Sequence, residues 1–205
     1  MYLVLQRLLL TATLAVGITA CSTESTRGAA QGAAGGAAVG AIGGMVSALV
    51  FGGSVSDAAA RGAVWGGSTG AVTGGIHGAK KGESAREAES RRVAAEMEKL
   101  RSKIGDDAYR GLEALARCKH SVAVAYAEAA QTNKNYDYAL SGYWLEVMSV
   151  AETDGESAAE AMLPELVERD SKLTSVGQAR VLLVEVIGDL EDVREESGTD
   201  RTCSA

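Results

Sequence analysis

Glycine recurs at every fourth residue over two long stretches of this 205-residue chain, and that spacing restricts the fold more than any other feature. Gly28, Gly32, Gly36, Gly40 and Gly44 form one ladder, with Gly35 and Gly43 beside it. Gly62, Gly66, Gly70, Gly74, Gly78 and Gly82 form a second, flanked by Gly67 and Gly75. On a helix a four-residue step turns about 400°, so each ladder draws a slowly drifting stripe on one face. With no side chains there, two backbones approach closely and gain van der Waals and Cα–H···O contact. In water each helical glycine costs about 1 kcal/mol relative to alanine, whereas in hydrocarbon an unpaired backbone group costs several kcal/mol.

Charge follows the same division. Residues 28–56 carry no charged side chain, and 62–79 carry only His77 as a titratable group. Helices over 28–50 and 58–79 would be about 35 and 33 Å long, enough to cross a bilayer, with Gly52-Gly53-Ser54-Val55-Ser56-Asp57 as the turn. Phe51 and Trp65 fall toward one end of such a hairpin, Arg27 and Lys80-Lys81 toward the other. The expectation is a transmembrane glycine-zipper hairpin over 28–82. Its first ladder is weakly hydrophobic, so insertion would need a partner or another copy. A flexible spacer or a surface-bound hairpin is the alternative, and the strict period argues against it.

Residues 1–20 have the anatomy of a secretory signal peptide: Arg7, an apolar run from Leu8 to Val16, then small residues. Ile18-Thr19-Ala20-Cys21 resembles the lipobox of bacterial lipoproteins, in which the cysteine becomes the new N-terminus. The resemblance implies diacylglycerol on the Cys21 thiol and an acyl chain on its amine. Several chains anchor stably, at about 0.8 kcal/mol per buried methylene. Ser22, rather than an aspartate, implies transport to the outer membrane in bacteria that sort by this position. Cys118 and Cys203 then remain as a pair in an oxidising compartment. A bridge between them would contribute about 4 kcal/mol in the chain-entropy model; two separate structural thiols are the alternative.

Over residues 21–82 the lipobox cysteine and the paired GxxxG ladders resemble the glycine-zipper lipoproteins of Gram-negative envelopes, of the SlyB-like or surface-antigen type. The resemblance implies a small outer-membrane lipoprotein that assembles laterally, supports envelope integrity and has no active site. The long acidic tail departs from that pattern.

From Glu83 the composition changes. Residues 83–104 read as a charged helical stalk with acids and bases interleaved at helical spacing. Residues 105–205 read as an acidic antiparallel bundle of four or five helices. Gly105 breaks the stalk and Asp106-Asp107 can cap the next helix, whose apolar face is Leu112, Leu115, Cys118, Val122, Tyr126 and Ala129. Asn133 to Asn135 supply a turn. Tyr138, Leu140, Tyr143, Trp144, Val147, Met148 and Val150 lie on a third helix ending near Glu152. Ser157 and Glu160 have capping-box spacing for a fourth, which Pro164 interrupts. Leu173, Val176, Leu183, Ile187 and Leu190 build a last amphipathic helix ending near Gly198. The aromatic run Tyr136–Trp144 reads as core; a partner groove is its other reading.

The formal charge of −7 argues against a protein that lives on nucleic acid, whose phosphate backbone needs an extended basic surface, so no nucleic-acid partner is expected. Residues 86–119 sum to +2 and 120–205 to −11, which should hold the bundle away from anionic lipid. No catalytic residue, metal ligand, cofactor or small-molecule substrate is expected. His120 is two residues from Cys118, which on a helix points them about 200° apart. The acids Asp189, Glu191, Asp192, Glu195 and Glu196 lie on a helix without a cage-forming loop. The leading functional reading is a non-enzymatic, lipid-anchored envelope protein that oligomerises through its glycine faces in the outer membrane and holds its helical domain in the periplasm. Its partners are membrane lipid, further copies or an envelope protein. The alternatives are a pore-forming or permeabilising oligomer and an adaptor whose bundle binds a periplasmic partner.

Overall fold

The computed structural model describes residues 38–63, 83–196 and 202–203, and within 83–93 only the backbone for 83–90 and 93. Helix α1 covers 38–51 and α2 covers 55–63. They are followed by α3 (Glu83–Ile104), α4 (Asp106–Ala116), α5 (His120–Gln131), α6 (Tyr136–Thr153), α7 (Glu156–Glu160), α8 (Leu163–Arg169) and α9 (Val176–Glu196). No strand occurs among the described residues, so the all-α expectation holds.

The hairpin is tighter than the sequence suggests. Its turn occupies 52–54, with Gly52 and Gly53 at φ of 87° and 140°, and α2 already begins at 55. Ser54 starts α2: its hydroxyl accepts from the Asp57 amide at 3.2 Å, and its carbonyl accepts from the Ala58 amide. No helix among the described residues is long and apolar enough to cross a membrane. At about 1.5 Å per residue, the described part of α1 spans roughly 21 Å. Its apolar side chains Ile42, Met45 and Val46 are fully buried within the chain itself. The transmembrane expectation for this hairpin thus finds no support among the described residues, whose apolar side chains on α1 pack within the chain.

The stalk boundaries, 83–104, match α3, but its end is not solvated. Ile104 is fully buried, and Met97 and Leu100 are partly buried against the core. Tyr138 of α6 donates its hydroxyl to the Ser102 carbonyl at 2.8 Å. Gly105 does break the helix, with φ of 88° and the Tyr138 ring against it. The cap position of α4 is Gly105 itself; Asp106 and Asp107 lie in the first turn and make no cap hydrogen bond there.

Between α4 and α5 the chain departs from the reading of one continuous helix. Arg117, Cys118 and Lys119 interrupt it, with Cys118 at φ of 56°. Those residues reset the helical phase. The buried stripe continues as Ala123, Ala127 and Ala130, while Val122 is 43% exposed. An all-alanine face lets neighbours come close: a Cβ at Gly142 of α6 would meet the Ala127 carbonyl at 2.6 Å. The aromatic run is core, since Trp144 is fully buried and Tyr143 nearly so. Asn135 caps α6 by accepting from the amides of Asp137 and Tyr138.

Further on, Ser157 lies inside α7 behind Gly155, so it is not the cap of a box. Pro164 sits in the first turn of α8, where its missing N–H leaves nothing unpaired, so it opens a helix instead of kinking one. The bundle from 105 to 196 thus has six helices among the described residues, two of them short, in place of four or five. The last helix buries Ala179, Leu183, Val186, Leu190 and Val193.

Candidate functional site

Three glycines of the two ladders are described, and α1 and α2 bring them together. A Cβ on Gly62 would overlap the carbonyl of Gly40, and one on Gly44 would overlap the carbonyl of Ala58. Backbone therefore lies directly on backbone. The step is four residues on each strand of the contact: from Gly44 back to Gly40 on α1, from Ala58 on to Gly62 on α2. The glycine period thus becomes an antiparallel register, in which small residues permit approach no larger side chain would allow.

This hairpin rests on the last turns of α3. Gly43, off the main ladder, faces Leu100, whose side chain fills the space a Cβ would need. The Lys103 ammonium sits 5.7 Å from the Phe51 ring centre. Phe51 is 41% exposed at the tip, so its partner is a cation of α3. A groove of about 420 Å³ runs between hairpin and α3, lined by Gly40, Gly44, Ser47, Arg61, Met97 and Leu100.

A second constellation lies where α4 meets α5. Cys118 and Cys203 are disulfide-bonded, their Cα atoms 5.4 Å apart across 85 residues of sequence. The expected pairing is present. Beneath it, Arg194 of α9 is fully buried and grips both carboxylate oxygens of Glu152, with one guanidinium nitrogen 2.8 Å from the Leu115 carbonyl. His120 Nδ1 lies 3.5 Å from Glu152 Oε2. His120, Glu152 and Cys203 present ligand-type atoms within 4.8 Å of one another. Their chemistry is already committed, however: the sulfur is bonded to Cys118 and the carboxylate serves Arg194.

Of the residues singled out from sequence, Gly40, Gly44 and Gly62 meet in the hairpin and Cys118 meets Cys203. Cys21 and Gly28, Gly32, Gly36, Gly66, Gly70, Gly74 and Gly78 lie outside the described residues. Sequence reasoning missed Ala58 and Leu100 as glycine partners, and it missed the Arg194–Glu152 pair. Only the placement of Arg194 one residue beyond apolar Val193 hinted that this arginine turns inward. Among the acids of α9, burial raises the Asp189 carboxyl above its ordinary range, and the charges of Glu185 and Asp192 add to the effect.

No curated protein and no solved structure matches the chain. Residues 1–82, the stretch holding both glycine ladders, match the family model of the YMGG-like Gly-zipper, which marks this part of the chain as a glycine zipper.

Proposed function

We propose that the protein is a non-enzymatic envelope lipoprotein, anchored in the outer membrane through acyl chains on Cys21, whose glycine-zipper segment assembles laterally and holds a disulfide-stapled helical bundle in the periplasm. The observation that carries the reading is the contact of Gly62 with the Gly40 carbonyl, made within a segment similar to the YMGG-like Gly-zipper. That family likeness supports membrane association. The reading does not depend on a membrane-crossing helix. The Cys118–Cys203 bridge supports an oxidising compartment such as the periplasm.

The hairpin already uses Gly40, Gly44 and Gly62 internally, so lateral assembly would join preformed hairpins. Continued in the same four-residue step, the register would set Gly36 opposite Gly66, Gly32 opposite Gly70 and Gly28 opposite Gly74. In that register four glycines of the first ladder, from Gly28 to Gly40, would each face a glycine of the second, which supports one continuous zipper. The adaptor reading has one observation of its own: Val181 and Val184 on α9 are 66% and 53% exposed, less than one turn apart.

Chemical cross-linking of the native, membrane-embedded protein tests the proposal. The wild type should give a ladder of oligomers, and Gly40→Leu with Gly70→Leu should lose it while lipidation of Cys21 persists. A wild type that cross-links only as a monomer would refute lateral assembly and move attention to the bundle.

A further inference from the structure

We propose that a basic pocket at the α4–α5 corner is a binding site for a phosphate ester. The pocket is about 330 Å³ and is lined by Arg110, Arg117 and Lys119, with Glu113, Tyr126 and Val122 completing the wall. That volume is within the range of small-ligand sites, about 300–1,000 Å³.

Most cations of the bundle's second half are bound to acids, but the three that line this pocket are not. Arg169, Lys172, Arg180 and Arg194 are each paired with a carboxylate. Among the described residues no ion pair joins Arg110, Arg117 or Lys119 to an acid. Arg110 instead stands over the Tyr126 ring, its guanidinium carbon 6.0 Å from the centroid. With Glu113 subtracted, the charged side chains lining the pocket carry a net charge of about +2. Like-sign cations left unpaired side by side repel one another, and an anion with several oxygens relieves that repulsion. Two guanidinium forks and an ammonium suit phosphate, which offers three oxygens to such donors.

The corner is also held rigid. Arg117 and Lys119 flank Cys118, which the disulfide ties to Cys203. The amides of Arg117, Cys118 and Lys119 are fixed on the carbonyls of Ala114 and Leu115, and Arg194 grips the Leu115 carbonyl from below. Cations so placed lose little freedom on binding, which favours affinity. The Val122 side chain, 43% exposed beside the charges, and the Tyr126 ring give the carbon part of an ester a surface to cover. Such a phosphate can come from an anionic phospholipid headgroup or from a soluble ester.

Lysine footprinting of the full chain tests this. Acetylation of Lys119 is read by mass spectrometry against Lys134 as an internal control, first in neutral detergent with glycerol 3-phosphate or inorganic phosphate. It is then read in phosphatidylcholine vesicles with and without phosphatidylglycerol. Lys119 should be slowed about fivefold, the protection at roughly four-fifths occupancy, while Lys134 is unchanged. Arg110→Gln with Arg117→Gln should abolish the protection; both side chains are exposed, so the fold is retained. Protection by phosphatidylglycerol assigns the lipid headgroup as source; protection by glycerol 3-phosphate alone assigns a soluble ester. Unchanged Lys119 reactivity in every arm, or equal slowing of Lys134, would overturn the site.

Discussion

Gly62 lies so close to the carbonyl of Gly40 that not even a methyl group fits between them. Gly62→Ala must therefore push α2 off α1. The expected loss is about 1–3 kcal/mol, as for other overpacked sites. Amide hydrogen exchange over 38–63 should accelerate in the full-length variant, and exchange in α6 should not change.

Gly188 is the opposite case. It lies inside α9, and a Cβ there would meet nothing within 4 Å. Gly188→Ala should stabilise the bundle by about 0.5–1 kcal/mol, because a helical glycine gives up more backbone freedom than alanine. A thermal midpoint that falls would mean α9 is covered on that side.

Removal of the Cys118–Cys203 bridge by paired serines should lower stability by about 4 kcal/mol, since the bond closes a separation of 85 residues in the unfolded chain. Urea unfolding followed by Trp144 fluorescence, in a Trp65→Phe background, measures it. An unchanged midpoint would place the tail outside the cooperative unit.

Glu152 and Arg194 form a buried ion pair 42 residues apart in sequence. Glu152→Gln leaves the guanidinium charged and uncompensated, and should cost about 3–5 kcal/mol. Glu152→Leu with Arg194→Leu removes both charges and should cost much less. Additive losses in the double variant would show that the two residues act separately.

Asp189 supplies the pH prediction. Burial, reinforced by Glu185 and Asp192, raises its carboxyl, and its Oδ2 is buried without a hydrogen-bond partner. A carboxyl with a folded pKa above its unfolded value binds more protons in the folded state. Its stabilising contribution is complete below the unfolded pKa and is lost as pH rises through the folded one. Asp189→Asn should thus stabilise at pH 7 and make no difference near pH 3. Denaturant titrations at the two pH values decide it.

Much of the helical framework was legible from local signals. Gly105 ends α3 where a left-handed φ is needed, and the Asn133–Asn135 turn falls where polar residues interrupt apolar periodicity, though the capping of α6 by Asn135 was not read from it. The Val122–Tyr126–Ala129 stripe failed for a specific reason. A break of three residues at Arg117–Lys119 turns the following helix, so alanines at 123, 127 and 130 face inward instead. Ser157 and Pro164 misled similarly, because Gly155 already provides the start of α7 and proline suits the first turn of α8.

Spacing alone determined that the ladders put glycine on one helical face, and the resemblance of Ile18–Cys21 to a lipobox left Cys118 and Cys203 as the candidate pair. Both are local or compositional properties, written in the order of residues. Only the tertiary structure decided that Gly62 meets Gly40, that Leu100 fills the space before Gly43, that Ile42 and Met45 are buried within the chain, and that Arg194 turns inward to Glu152. Those outcomes join residues far apart in the chain. Each depends on which surfaces compete for the same space, a quantity that no single helix's periodicity contains.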